Sequence, residues 1–123
     1  MKGEKMNYKY NDNCLTVNGK SIDFPYDIGD VQEAQGKLIV LLDIPGGVNF
    51  INNIYAVNSK TELIWQVQDL REVYPQNQYP QLMLLPYIYM HIEEGTVRGV
   101  DFYARNYYID LDSGQIKKMV VYK

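Results

Sequence analysis

Between Asn53 and Gln68 the chain runs NIYAVNSKTELIWQVQ, and this stretch reads as a β-hairpin. Ile54–Val57 is a run of strand formers, Asn58–Thr61 is polar and turn-forming, and Leu63–Val67 is a second strand carrying the only tryptophan, Trp65. Two β-rich runs separated by a few turn residues are a hairpin signature. The indole of Trp65 is costly to leave in water, so it is expected to anchor the core beneath the hairpin. The same grammar returns near the C-terminus, where Tyr107–Asp110 is followed by a turn through Ser113-Gly114 and by Gln115–Val121.

Outward from these two hairpins the pattern stays short-period. Met6, Tyr8 and Tyr10 alternate with Asn7, Lys9 and Asn11. Cys14–Val17 and Ser21–Phe24 flank Asn18-Gly19, a pair that supplies the positive φ values of a type I′ turn, and Pro25 ends that hairpin. Ile28–Glu33 alternates, Gln35-Gly36 turns the chain, and Lys37–Ile44 contains LIVLL, a run expected to be buried on both faces. Pro45-Gly46-Gly47 breaks that strand, and a polar loop with Asn49, Asn52 and Asn53 leads into the central hairpin. Asp69–Pro80 has room for a single helical turn over Asp69–Tyr74, but its two prolines and Gln/Asn run favour a surface loop. Strand-like sequence resumes over Leu82–Glu93, where Pro86 points to an edge or a bulge. Glu94-Gly95 turns, and Val97–Ala104 runs back.

The expected fold is all-β: one domain over residues 1–123, an antiparallel meander of roughly eight to ten short strands with propeller-blade-like hairpins. A sheet of that length must curl as one layer or split into two packed sheets to bury its face. With 46% apolar residues, the 123-residue chain can build a core without staples.

The central hairpin resembles the repeat of quinoprotein-type (PQQ) β-propellers. Tyr55-Ala56-Val57-Asn58-Ser59-Lys60-Thr61 and Glu62-Leu63-Ile64-Trp65 follow that repeat, with its turn glycine missing. Tyr108-Ile109-Asp110 and Ser113-Gly114-Gln115-Ile116 fit it in spacing, with Gly114 in place and Lys118 where the tryptophan would stand. A propeller needs about four blades to close, and this chain has material for about two. The resemblance therefore implies a small relative built from such hairpins, with no cofactor expected. In overall form the chain is similar to small immunity proteins of bacterial toxin systems, which implies a protein partner.

Composition limits the function classes. The formal charge is −3, the pI is about 5.0, and no basic cluster exceeds Lys117-Lys118. A nucleic-acid binder needs a basic stripe to neutralise phosphates, so direct nucleic-acid binding is not expected. Cys14 is alone and forms no internal disulfide, the N-terminus MKGEKMNYKY lacks an apolar signal core, and the longest apolar run, Leu38–Leu42, is far short of a membrane span. The cytosol is the simplest home.

No chemistry stands out. Cys14 and His91 are conceivable as nucleophile and base, but neither lies in a supporting motif, and one Cys with one His makes no zinc site. Asp110–Gly114 fits a hairpin turn better than a calcium loop. Glu93, Glu94 and Asp101 offer a carboxylate set for glycoside hydrolysis, although Glu93-Glu94-Gly95 is more simply a polar turn. Binding is the better expectation. Twelve tyrosines against three phenylalanines and one tryptophan favour strands and contact surfaces alike. Tyr74, Tyr79, Tyr87 and Tyr89 cluster around the long loop with acidic Asp69 and Glu72, although alternation would turn Tyr87 and Tyr89 into the core. The candidate partner-binding set is Asp69, Glu72, Tyr74, Tyr79, Glu93 and Glu94; no catalytic, cofactor or metal residues are assigned.

The leading expectation is thus a non-catalytic, immunity-type inhibitor of a basic bacterial toxin domain, with a nuclease as one candidate target. The alternatives are a self-associating structural or adaptor β-domain and, third, a carbohydrate-binding module.

Overall fold

The computed structural model describes residues 6–122 and is all-β, with a single helical turn. Eleven strands form three antiparallel sheets. The first sheet holds β1 (Tyr8–Asn11), β2 (Cys14–Val17) and β3 (Lys20–Asp23), in that order. The second holds β4 (Ile28–Ala34), β5 (Lys37–Leu42), β6 (Ile54–Val57) and β7 (Leu63–Gln66). The third holds β8 (Tyr87–Glu93), β9 (Thr96–Asp101), β10 (Arg105–Asp110) and β11 (Ile116–Val121).

All three sheets are simple meanders, and apart from the longer link between β5 and β6 their successive strands are joined by short turns. Asn18 and Gly19 take φ of 50° and 85°, and Gln35 and Gly36 take 50° and 77°, the left-handed pairs of type I′ turns. In the β6–β7 turn there is no glycine, and Thr61 adopts φ of 62°. Asn58 compensates: its Oδ1 accepts the backbone N–H of Lys60 and Glu62, and its Nδ2 donates to Glu62 Oε1.

The count of three sheets departs from the expected one or two, and eleven strands from eight to ten. The meander is interrupted twice, by Phe24–Asp27 around Pro25 and by the long passage from Val67 to Pro86. Each interruption is long enough for the chain to step to a new layer. Within the second passage Leu70–Val73 forms the single helical turn, α1, for which Asp69–Tyr74 has room, although the prolines and Gln/Asn run favour a plain loop. Asp69 is its N-cap, accepting from the Arg71 N–H. Leu82–Pro86 is not strand: β8 begins only at Tyr87, because a proline donates nothing to a ladder. At the other end of that hairpin, β9 stops at Asp101 and Phe102–Ala104 forms a turn, so Val97–Ala104 is not one continuous strand.

The second sheet is the middle layer and serves two cores. Leu38, Val40 and Leu42 of β5 face the first sheet, with Leu15, Val17, Phe24, Val31 and Tyr55. Ile39 and Leu41 face the third, with Ile54, Ala56, Trp65, Leu70, Tyr87, Met90 and Tyr107. Leu38–Leu42 is accordingly buried throughout, as the unbroken LIVLL run implies.

Trp65 is buried, and it closes the second core by docking on the C-terminal hairpin. Its Nε1–H donates to the carbonyl of Leu111 at 2.9 Å. Ala56 lies opposite it on β6, and Gly114 lies against its ring so closely that a Cβ on Gly114 would stand 2.7 Å from Cδ2. A second tie is Asn53, which is fully buried. Its Nδ2 donates to the carbonyls of Leu42 and Tyr87, both at 2.8 Å, and its Oδ1 accepts the Tyr87 N–H at 2.9 Å. One side-chain amide thus plays the part of a strand residue and joins the end of β5 to the start of β8.

Candidate functional site

The antiparallel pairing brings five connections to one end of the stack. Cys14 pairs with Asp23, Ile28 with Leu42, and Tyr87 with Asp101, so the β1–β2 turn, the β3–β4 and β5–β6 links, the entry to β8 and the β9–β10 turn share that end. The Ile28 N–H donates to the Asp12 carbonyl and the Asp43 N–H to the Asp27 carbonyl, which ties the first two sheets together there.

The β9–β10 turn is built to hold two aromatic rings in water. Asp101, buried, accepts the N–H groups of Tyr103 and Arg105 on Oδ1 and the Arg105 guanidinium on Oδ2 at 2.7 Å. Arg105 donates a further bond to the Met83 carbonyl, pinning the loop ahead of β8. A buried charge is tolerated only when paired and hydrogen-bonded, and this pair meets both conditions. Ala104 takes a left-handed φ of 60° to close the turn. At its tip Phe102 is 75% exposed and Tyr103 53%, with the guanidinium of Arg105 over the Tyr103 ring.

Beside this turn, β8 carries a register shift between Tyr87 and Tyr89. The bulge breaks the alternation: Tyr87 is buried, while Ile88 and Tyr89 are both exposed. Both tyrosines were candidates for the core by alternation, and only Tyr87 occupies it. Across from them, β4 has its own shift between Ile28 and Asp30, at Gly29. The two bulged edges frame a cleft of about 330 Å3 with Leu41, Leu42 and Tyr87 inside and Asp30, Asp43, Ile88 and Tyr89 around it. Ile88 also lines an adjoining apolar groove of about 270 Å3, with Ile44, Pro45, Leu85, Phe102 and Tyr103.

The candidate residues assigned from sequence do not form one surface. Asp69 and Glu72 line a polar groove of about 500 Å3 with Asn52, Gln66, Arg71 and Gln115. Asp69 serves structure there: burial works against its charge, but the N–H and guanidinium of Arg71 and the Asn52 amide outweigh that and hold its carboxyl below the usual range. Tyr74 stands edge-on to Tyr79 at 5.3 Å and to Tyr107 at 6.5 Å, so it is a bridge between loop and core. Glu93 and Glu94 close the far end of β8; Glu93 lies within 4 Å of His91 and Arg98. Asp101 sits at the opposite end of the β8–β9 ladder from Glu93 and is bound to Arg105, so those carboxylates are not a pair. Cys14 and His91 lie on the first and third sheets, with the middle sheet between them. Among the described residues, no three of His, Cys, Asp and Glu come together to hold a metal ion, and no helix is long and apolar enough to cross a membrane.

Sequence reasoning missed Asp30, Asp43, Ile88, Phe102 and Tyr103. One signal was present: Phe102-Tyr103 are adjacent aromatics between an Asp and an Arg four residues apart, a spacing that lets the two charges meet across a turn. A second signal, for Ile88, was Pro86, which pointed to an edge or a bulge; which residue the bulge would expose is a property of the strand pair.

Among curated proteins the chain finds no match. A family model described as a domain of unknown function, DUF7957, matches residues 5–121, and the chain belongs to that family.

Proposed function

We propose that the protein is a non-catalytic binding protein of the cytosol, of the immunity type, which occupies a cognate bacterial toxin domain and blocks it. The target class is a basic domain, such as a nuclease. The observation that carries the reading is the turn at Phe102-Tyr103: two exposed aromatic rings held in place by a buried ion pair. Large aromatics on a rigid frame are typical anchors of protein interfaces, since they bury much area with little loss of freedom. Acidic surface charge then steers a basic partner and selects against acidic ones.

The test is a tagged pull-down from the native cell, at low and at high salt, with mass spectrometry of the eluate. A one-to-one basic partner resembling the C-terminal piece of a large secreted protein, lost at high salt, is the expected result. Recovery of the protein alone overturns the reading.

One observation favours a second reading, a self-associating structural or adaptor domain. Leu63 and Ile64 are 50% and 39% exposed on β7, an outer strand of the middle sheet, and Val121 is exposed on outer strand β11. Exposed apolar outer strands invite pairing between copies. Sedimentation equilibrium would show a concentration-dependent dimer that Leu63→Lys abolishes.

A further inference from the structure

Resting on the reading that the protein binds another protein, we propose where it does so and what it accepts. The docking surface is the apolar groove and acidic cleft that share Ile88. Its occupant is an exposed segment of a basic protein that seats an aliphatic or aromatic side chain between Ile88 and Phe102 and lays arginine or lysine heads against Asp30 and Asp43.

Three observations converge on this end of the molecule. The first is apolar exposure in one place: Ile88 is 60% exposed and Phe102 75%, and they line the same groove with Ile44 and Tyr103. Contiguous apolar surface of this kind marks contact sites. The second is charge. From Ser21 to Ser59 the chain has five acidic residues, Asp23, Asp27, Asp30, Glu33 and Asp43, and one basic residue, Lys37. Lys37 starts β5 at the opposite end and pairs with Asp112, so it leaves the field around Asp43 uncompensated. Asp30 and Asp43 have no ion-pair partner among the described residues. A carboxylate beside an exposed tyrosine suits the long amphipathic side chains of Arg and Lys, whose stems pack while their heads stay charged. The third is geometry fixed from within the chain: two bulges and the Asp101–Arg105 clamp set the shape of the surface. The polar groove at Asp69 differs, because that carboxylate is already paired with Arg71 and bonded to Asn52, whereas Asp30 accepts the Gln32 amide at 2.9 Å and, like Asp43, meets no cation among the described residues.

The experiment pans a displayed library of random peptides against the immobilised full chain and maps a selected peptide by amide chemical shifts. The expected peptides combine Arg or Lys with an aliphatic or aromatic residue and shift residues 29–31, 43–48, 85–89 and 101–104. They bind at least about ten-fold more weakly to Phe102→Ser and to the double variant Asp30→Asn/Asp43→Asn. Phe102 is exposed, so Phe102→Ser is expected to fold, and an unchanged thermal melt checks it. The Glu62→Gln variant, on the β6–β7 turn at the opposite end of the middle sheet, should bind as the unaltered chain does. Basic peptides whose shifts fall at Asp69 and Glu72 overturn the docking surface while leaving the binding function standing. Peptides without basic enrichment overturn the charge assignment. A dimer in sedimentation velocity that Phe102→Ser abolishes overturns the assigned occupant in favour of a second copy. No enriched peptide at all overturns both this surface and the binding reading.

Discussion

Gly114 is held by two constraints at once. Its φ of 76° lies in the left-handed region, and the face where a side chain would go is filled by Trp65. Gly114→Ala therefore combines backbone strain with overpacking against a ring that is itself fixed by its bond to Leu111. The expected loss is about 2–4 kcal/mol in urea unfolding, and a loss under about 1 kcal/mol would mean the indole can slide aside. Trp65 as an anchor and Gly114 as a turn residue were legible in the sequence, because each follows from residue type. That they touch was not, since 49 positions apart they meet only through sheet packing. Asn53 was less legible still. In a run with Asn49 and Asn52 it reads as loop, and only the meeting of β5 with β8 turns its amide into a buried junction.

The turn from β9 to β10 concentrates the contrast between buried and exposed chemistry. Arg105→Ala would leave the Asp101 carboxylate buried with backbone donors alone, and the expected cost is about 3–5 kcal/mol by chemical denaturation. Phe102→Ser, three residues away, should change stability by no more than about 0.5 kcal/mol. If the two variants unfold at similar denaturant concentrations, the clamp does not fix the turn. Elements bounded by turn-specific residues, such as the hairpins at Asn18-Gly19 and Gln35-Gly36, were readable because two residues determine the backbone. Pro86 signalled the outer position and the bulge of β8, whereas the bulge in β4 and the stop at Asp101 were not readable, because pairing partners determine them. The candidate surface depends on those features, and this is why six residues chosen for charge and aromaticity scattered over several faces.

For the molecule as a whole, the all-β class and the two-faced burial of Leu38–Leu42 were evident from strand patterning. The number of layers was not, because nothing local says whether a break in a meander changes sheets. One global property does follow from the tyrosines. Burial pushes the Tyr107 phenol up to about 12, and burial pushes Tyr87 well above its ordinary value, with Tyr107 and Asp101 adding to it. In the unfolded chain both ionise near pH 10. The folded state therefore keeps protons that the unfolded state sheds, so this contribution to stability is full below about pH 10 and is lost as pH rises through 12. The melting temperature should fall steeply between those values, less so in Tyr107→Phe. Neither hydroxyl has a hydrogen-bond partner among the described residues, so Tyr87→Phe should be neutral or stabilising by up to about 1 kcal/mol at pH 7.

The double duty of the middle sheet has a consequence for a chain on the ribosome. Every residue of the first core lies before Asn58, so that half can close while the rest is still being translated. The other face of the same sheet has to wait. Ile39, Leu41, Ala56 and Trp65 complete their packing when β8 to β10 and the turn at Gly114 have emerged. A nascent chain halted before β8 would present a wet indole and a strip of uncovered aliphatic side chains, the form a chaperone would meet.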